Sequence, residues 1–182
     1  MLKSLIINFL PWILYFILNG PTQSQIDLSI SVAAVASILF EIKSLKKGYL
    51  LSWATLFYFV LLCLVVVILR IDLIIKYEWI LSNAMLAIIA WISVLIKQPF
   101  TIQYAREEVA PEYWQSHLFI KINYILSAVW AVIFTFGIVL NLLHLNIPWF
   151  KGPVYEVGTY LPSIFGAWFT GWFPDWYKKR FT

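Results

Sequence analysis

A long apolar run without a charged residue, 49–69, restricts the fold of this chain more than any other feature. A helix needs about 20 predominantly apolar residues to cross a bilayer, and this run has that length. Five further apolar blocks cover 4–19, 24–40, 79–96, 122–140 and 157–173. Only 12% of the residues are charged, against about 25% in soluble domains. The sequence therefore predicts an all-α integral membrane protein, a six-helix transmembrane bundle that forms a single domain over 1–182.

Small residues recur at helical spacing in the second block, where Ser29, Ala33 and Ser37 lie four apart. This spacing puts them on one face of a helix, where another backbone can approach closely. We therefore expect this face to pack against a neighbouring helix rather than against lipid.

The two terminal blocks depart from a simple apolar span. The first follows Lys3 and is compatible with a signal peptide, but Gly20-Pro21 offers no small-x-small cleavage site. We predict a short first transmembrane helix instead. The sixth block is interrupted by Pro162, Gly166 and Gly171.

The basic residues predict the orientation, because short cytoplasmic loops retain Lys and Arg. With six spans and the amino terminus inside, ten of the 13 basic residues fall on the cytoplasmic side. The opposite side has only Arg70, Lys76 and Lys151. Both termini are therefore predicted to be cytoplasmic. This asymmetry also accounts for the net charge of +4, so we expect the lipid bilayer and not nucleic acid as the partner of the basic residues.

One long polar interval, 97–123, separates the fourth and fifth blocks. Pro99 and Pro111 each disfavour helix in the preceding residue, so one short amphipathic helix is predicted between them on the cytoplasmic side. Its apolar residues are Phe100, Ile102 and Tyr104, and its water-facing residues are Arg106, Glu107 and Glu108. We predict an interaction surface in this interval that comprises Pro99, Tyr104, Arg106, Glu107, Glu108, Glu112, Trp114 and Asn123.

Within this surface Arg106 needs a partner other than its neighbour. Adjacent residues do not share a helical face, so Arg106 cannot pair with Glu107. We expect its guanidinium to meet water, a lipid phosphate or a more distant carboxylate, with Glu112 and Glu41 as the candidates.

The same interval holds the densest set of possible metal ligands or acid–base groups, which is Glu107, Glu108, Glu112 and His117. Pro111 breaks the helical register between the glutamates, and the chain offers only one further histidine, His144. Metal sites of membrane enzymes usually need several histidines. No Ser-His-Asp order, phosphate-binding glycine loop or nucleotide motif is present. We therefore predict no catalytic residue, no metal site and no cofactor.

A family resemblance is carried by the residues around the polar interval. Lys97-Gln98-Pro99, a glutamate at 107 or 108, and then Pro111, Trp114, Asn123 and Trp130 resemble the order that follows the fourth span in the bacterial septation protein A family. Phe9-Leu10-Pro11 with Phe16 is similar to the first span of that family. The resemblance covers the first five blocks, and the sixth departs from it. It implies a small bacterial inner-membrane protein of cell-envelope maintenance or septation, with partners in cell elongation or division.

Two functional hypotheses follow. The first is a non-enzymatic interaction protein that docks other membrane proteins on the polar interval. The alternative is a small transporter, or a protein that binds a lipid or apolar molecule between helices, since Pro162 and Gly166 can open the sixth helix. No ionisable residue lies at the middle of a predicted span, which counts against an ion-coupled transporter. The sequence is also compatible with a homo-oligomer.

Overall fold

The computed structural model describes residues 2–150 and 152–181, with side chains for 6–71, 73–150 and 152–180. These residues form helices and turns and contain no strand. The helices are α1 (Leu2–Leu18), α2 (Gln23–Leu39), α3 (Ile42–Lys46), α4 (Leu50–Leu62), α5 (Asp72–Leu95), α6 (Thr101–Ala105), α7 (His117–Asn146) and α8 (Pro153–Phe181). A π-helical segment, Cys63–Ile68, continues α4, and a 3-10 turn, Pro111–Tyr113, precedes α7. The all-α prediction is confirmed.

Three helices are long and apolar enough to cross a membrane in the described part of the chain: Leu50–Ile68, Leu73–Leu95 and His117–Asn146. They correspond to the third, fourth and fifth blocks, so the membrane class is confirmed. The helices over Ile6–Leu18 and Gln23–Leu39 are apolar but shorter. The six-helix bundle therefore stays a prediction.

The sixth block forms one continuous helix, α8, which includes both Pro162 and Pro174. The expectation that Pro162 and Gly166 open this helix is wrong. Gly166 serves close packing instead, since a Cβ built there would lie 2.7 Å from Ile133 Cδ1 and 3.1 Å from the Trp130 ring. The small residue at 166 lets α7 and α8 approach each other.

The chain divides into two compact units, and the first comprises Lys3–Tyr77. Its core is an aromatic cluster in which Trp12 lies 4.8 Å from Phe59 and 5.3 Å from Tyr58, between ring centroids. The buried indole of Trp12 donates to Thr55 Oγ1 at 3.0 Å, which joins α1 to α4. Aromatic pairs of this kind add about 0.5–1.5 kcal/mol to their burial.

Within this unit α2 packs against α4 and the π-helical segment. Ser29, Ala33 and Ser37 have no exposed surface, so the predicted small-residue packing face is confirmed. At the amino-terminal end of α2, Asp27 accepts from Arg70 at 2.6 Å.

The second unit comprises Glu78–Thr182 together with the first two residues. Here α7 packs along α8, and the buried indole of Trp130 donates to Thr170 Oγ1 at 3.0 Å. The α5 helix approaches α7 at Gly137, where an added Cβ would overlap the side chain of Asn83.

Candidate functional site

The polar interval is less helical than predicted. α6 is a single turn, Thr101–Ala105, and residues 106–108 continue as turns into the 3-10 segment. Pro111 prevents helix at Ala110, because the residue before a proline is driven out of the helical region, and Ala110 has ψ 144. The predicted faces are confirmed: Phe100 and Tyr104 are 2% and 0% exposed, while Arg106, Glu107 and Glu108 are exposed.

Buried hydrogen bonds hold α6 on α7. Thr101 Oγ1 donates to the backbone carbonyl of Asn123 at 2.9 Å and lies 3.0 Å from Ser127 Oγ. The Thr101 backbone N–H faces the same Ser127 oxygen at 3.4 Å. All three side chains are buried, so the bonds are shielded from water and position the whole interval.

The turn after α6 is closed by two contacts of Trp114. Its indole donates to the Val109 carbonyl at 2.8 Å, and the Arg106 guanidinium lies over its ring at 5.1 Å. The structure therefore shows an aromatic partner for Arg106. Among the described residues Arg106 forms no ion pair with Glu112, so that expected pairing is wrong, whereas a pairing with Glu41 stays a prediction.

A cavity of about 710 Å³ opens beside this turn, between the amino-terminal part of α7 and the carboxyl-terminal part of α8. We call it the α7–α8 cavity. Ala105, Val109, Leu118, Phe119 and Ile122 supply an apolar wall. Behind it Ile122 belongs to a buried cluster with Leu126, Phe173 and Tyr177. The volume of the α7–α8 cavity falls within the range of about 300–1,000 Å³ that is typical of small-molecule pockets.

The comparisons with known proteins give no family. No family model matches the chain, and neither a curated protein nor a solved structure matches it. The resemblance to the septation protein A family therefore stays a prediction, and function has to be argued from the α7–α8 cavity itself.

Two buried polar side chains line the α7–α8 cavity, Asn123 and Thr170, each 1% exposed. Asn123 donates from Nδ2 to the Phe119 carbonyl at 2.9 Å, whereas its Oδ1 has no hydrogen-bond partner among the described residues. A buried carbonyl oxygen without a donor costs about 1–3 kcal/mol. A buried acceptor without a donor therefore lies within the wall of the cavity, closed off from solvent in this conformation.

Charged side chains stand at the mouth of the α7–α8 cavity. Glu108 comes from the turn after α6, and Asp175 and Lys178 come from the last turns of α8; all three are exposed. α8 is held at this end by Lys121, whose ammonium lies 5.8 Å from the centroid of the Tyr177 ring. The mouth therefore presents both signs of charge above apolar walls.

Only some residues of the predicted interaction surface are exposed. Pro99, Tyr104 and Asn123 are buried, so their assignment to it is wrong, because α6 packs this face against α7. Of the eight residues, Glu108 and Asn123 line the α7–α8 cavity. The α8 contribution was missed, since no spacing rule links Thr170, Asp175 and Lys178 to an interval some fifty residues earlier.

The glutamates of the interval do not converge. Glu107, Glu108, Glu112 and His117 are all exposed. Among the side chains that the structure describes, 6–71, 73–150 and 152–180, no three of His, Cys, Asp or Glu are grouped so that they could hold a metal ion.

Proposed function

We propose that this chain is a non-enzymatic protein of the bacterial inner membrane that binds an amphipathic, lipid-like molecule in the α7–α8 cavity. The supporting observation is the cavity itself, with an apolar wall, an unpartnered buried acceptor at Asn123 Oδ1 and charges at its mouth. One of its walls is the amino-terminal end of α7, a helix long and apolar enough to cross a membrane, so the site lies at the end of a candidate span.

The chemistry of the walls defines the ligand class. An apolar chain fits against Leu118, Phe119 and Ile122, where each buried CH₂ contributes about 0.8 kcal/mol. A hydroxyl or amine donor near the head group satisfies Asn123 Oδ1. The carboxylates and the ammonium at the mouth suit a zwitterionic head group, which carries both charges. The class is a lipid with one or two chains and a zwitterionic or hydroxyl-bearing head.

Photolabelling tests this proposal. The protein is placed in vesicles of phosphatidylethanolamine and phosphatidylglycerol that contain a phosphatidylethanolamine with a diazirine in its acyl chain, and labelled peptides are mapped. We expect labels on 118–122 of α7. Ala110→Trp narrows the mouth and should reduce these labels by about tenfold, equivalent to about 1.4 kcal/mol. Gln115→Trp is the matched control, since Gln115 is exposed and outside the cavity. Equal labelling of both variants and wild type would refute a site.

The second candidate function is docking of another membrane protein, as the resemblance to septation proteins implies. It is favoured by Tyr113, which is 57% exposed beside the exposed charges of Arg106 and Glu112. An exposed aromatic residue with an arginine is typical of interface hot spots. A photocrosslinking residue at Tyr113 should capture one defined integral membrane protein, whereas the same residue at buried Tyr104 should not. Equal capture at both positions would contradict docking.

A further inference from the structure

Glu41 is a buried carboxyl group at a place where the sequence indicates a water-exposed loop. It lies between α2 and α3, next to Lys43, Lys46 and Lys47. The three lysines are exposed, but Glu41 has no exposed surface. Neither of its carboxyl oxygens has a hydrogen-bond partner among the described residues. The group lies in the first unit and has no role in the α7–α8 cavity.

The polar side chain beside Glu41 directs its hydrogen-bond donor to another residue. The buried Ser52 hydroxyl lies beside the carboxyl. Its proton goes elsewhere, because Ser52 Oγ donates to Asn8 Oδ1 at 3.2 Å. A hydroxyl has only one proton to donate but two lone pairs to accept with. Ser52 can therefore accept from a protonated Glu41, and it can donate to an ionised one only by giving up its bond to Asn8.

Among the described side chains, none that is charged is paired with Glu41. α3 packs against α2 and α4, and α4 contains no charged residue. In α2 the charged residue is Asp27, which is at the opposite end and paired with Arg70. The remaining titratable groups of α1 and α4 are Lys3, whose side chain is outside the described set, and the phenols of Tyr15 and Tyr58.

Burial of an unpaired carboxylate is strongly unfavourable, so such a group takes up a proton instead. Burial accordingly raises the pKa of Glu41 from 4.5 to about 8, an effect that the neighbouring Ser52 hydroxyl reduces in part. The carboxyl is then neutral under physiological conditions in this conformation. Ionisation requires either water at the α2–α4 junction or movement of α3 away from it.

We propose that Glu41, with Ser52 and Asn8 beside it, is a proton-binding site whose loss of a proton opens the junction of α2, α3 and α4. The segment that would move is α3, a single turn followed by Gly48. Gly48 has φ 73 and no heavy atom within 4 Å of a Cβ built on it, so space at this position does not hinder the movement. The ligand is a proton, and the response is exposure of the junction.

Cysteine accessibility tests the coupling. In a Cys63→Ala background, Ser44→Cys reports on a position 5% exposed, and Lys43→Cys is the matched control at an exposed position. Both thiols react with a maleimide in vesicles of phosphatidylethanolamine and phosphatidylglycerol. Because one proton is released on opening, the ratio of the Ser44→Cys rate to the Lys43→Cys rate should rise by about tenfold per pH unit between pH 4.5 and about 8. Above this range it should level off.

Glu41→Gln removes the titration while keeping a neutral side chain of the same size. In this variant the rate ratio should stay constant with pH. A constant ratio in wild type, or the same rise in Glu41→Gln, would overturn the proposal. If sodium replaces choline in the buffer and shifts the wild-type curve, the ligand is a metal cation and the proton-only site is refuted.

Infrared spectroscopy of the unlabelled protein gives a second readout that does not depend on the cysteine variants. A protonated carboxyl band should be present at pH 7 and disappear as the pH rises through 8. Glu41→Gln should lack it, whereas Glu156→Gln, which changes an exposed glutamate, should keep it. Absence of the band in wild type at pH 7 would also overturn the proposal.

Discussion

The guanidinium of Arg106 lies over the ring of Trp114, 5.1 Å from its centroid. The pair spans the turn that leads from α6 to α7, and the same indole donates to the Val109 carbonyl. One side chain therefore holds the turn from two directions. A cation above an exposed aromatic ring contributes about 0.5–1 kcal/mol, enough to bias a turn but not to determine a fold.

Arg106→Ala should loosen this turn without affecting membrane insertion. We expect faster protease cleavage within 106–114, by about twofold to fivefold for a loss of 0.5–1 kcal/mol. Arg106→Lys should restore part of the protection, because the ammonium keeps the charge but lacks the planar group that stacks on the ring. Cleavage of Arg106→Ala at the wild-type rate would show that the stacking contributes nothing.

Thr101→Val should release α6 from α7. The substitution keeps the shape of the side chain but leaves the Asn123 carbonyl and the Ser127 hydroxyl without their buried partner, at about 1–3 kcal/mol. Hydrogen exchange of the amides in 101–109 is the measurement, and it should accelerate by about tenfold. Thr159→Val is the control, because that hydroxyl bonds within its own helix, to the Tyr155 carbonyl. Equal acceleration in both variants would contradict a specific role for Thr101.

Gly166→Ala should destabilise the packing of α7 on α8. The added Cβ would lie 2.7 Å from Ile133 Cδ1, and overpacking of this kind costs about 1–3 kcal/mol. Gly158→Ala is the matched control on the same helix, since its Cβ would lie 3.3 Å from the mobile end of Leu140. Both changes raise helix propensity equally, so the difference between their unfolding free energies in detergent isolates the contact. A difference near zero would contradict close packing at Gly166.

The parts of the fold that depend on periodic residue patterns could be predicted from the sequence. The apolar blocks became helices, and the Ser29, Ala33 and Ser37 face is buried as its spacing indicates. These features depend on local periodicity, which the sequence displays directly. The length of α8 was not predicted, because Pro162 and Pro174 signal interruption, while packing on α7 supports the helix through both.

The candidate site was harder to predict, because its residues meet only in three dimensions. Glu108 and Asn123 come from the polar interval, but Thr170 and Lys178 come from the end of α8. The burial of Glu41 was not predicted, for a related reason. Its sequence neighbours are exposed lysines, and only the packing of α3 against α2 and α4 encloses its carboxyl.

The proposed six-span topology can be separated from one in which only the three long apolar helices cross. Both place position 47 on the opposite side from positions 73 and 151. They differ at Thr22, between α1 and α2, and after Arg180 at the end of α8. Six spans predict Thr22 outside and Arg180 in the cytoplasm, whereas three spans predict the reverse.

Reporter fusions at these two positions decide between the topologies. With ten of the 13 basic residues on the cytoplasmic side under six spans, the positive-inside rule favours this arrangement. Three spans would move Lys178, Lys179 and Arg180 outside. We expect a cytoplasmic reporter to be active after Arg180 and inactive after Thr22, and an exported reporter to give the opposite result. Fusions after Lys47 and Leu73 serve as controls, being cytoplasmic and external in either case. Activity of the exported reporter after Arg180 would exclude α8 as a sixth span.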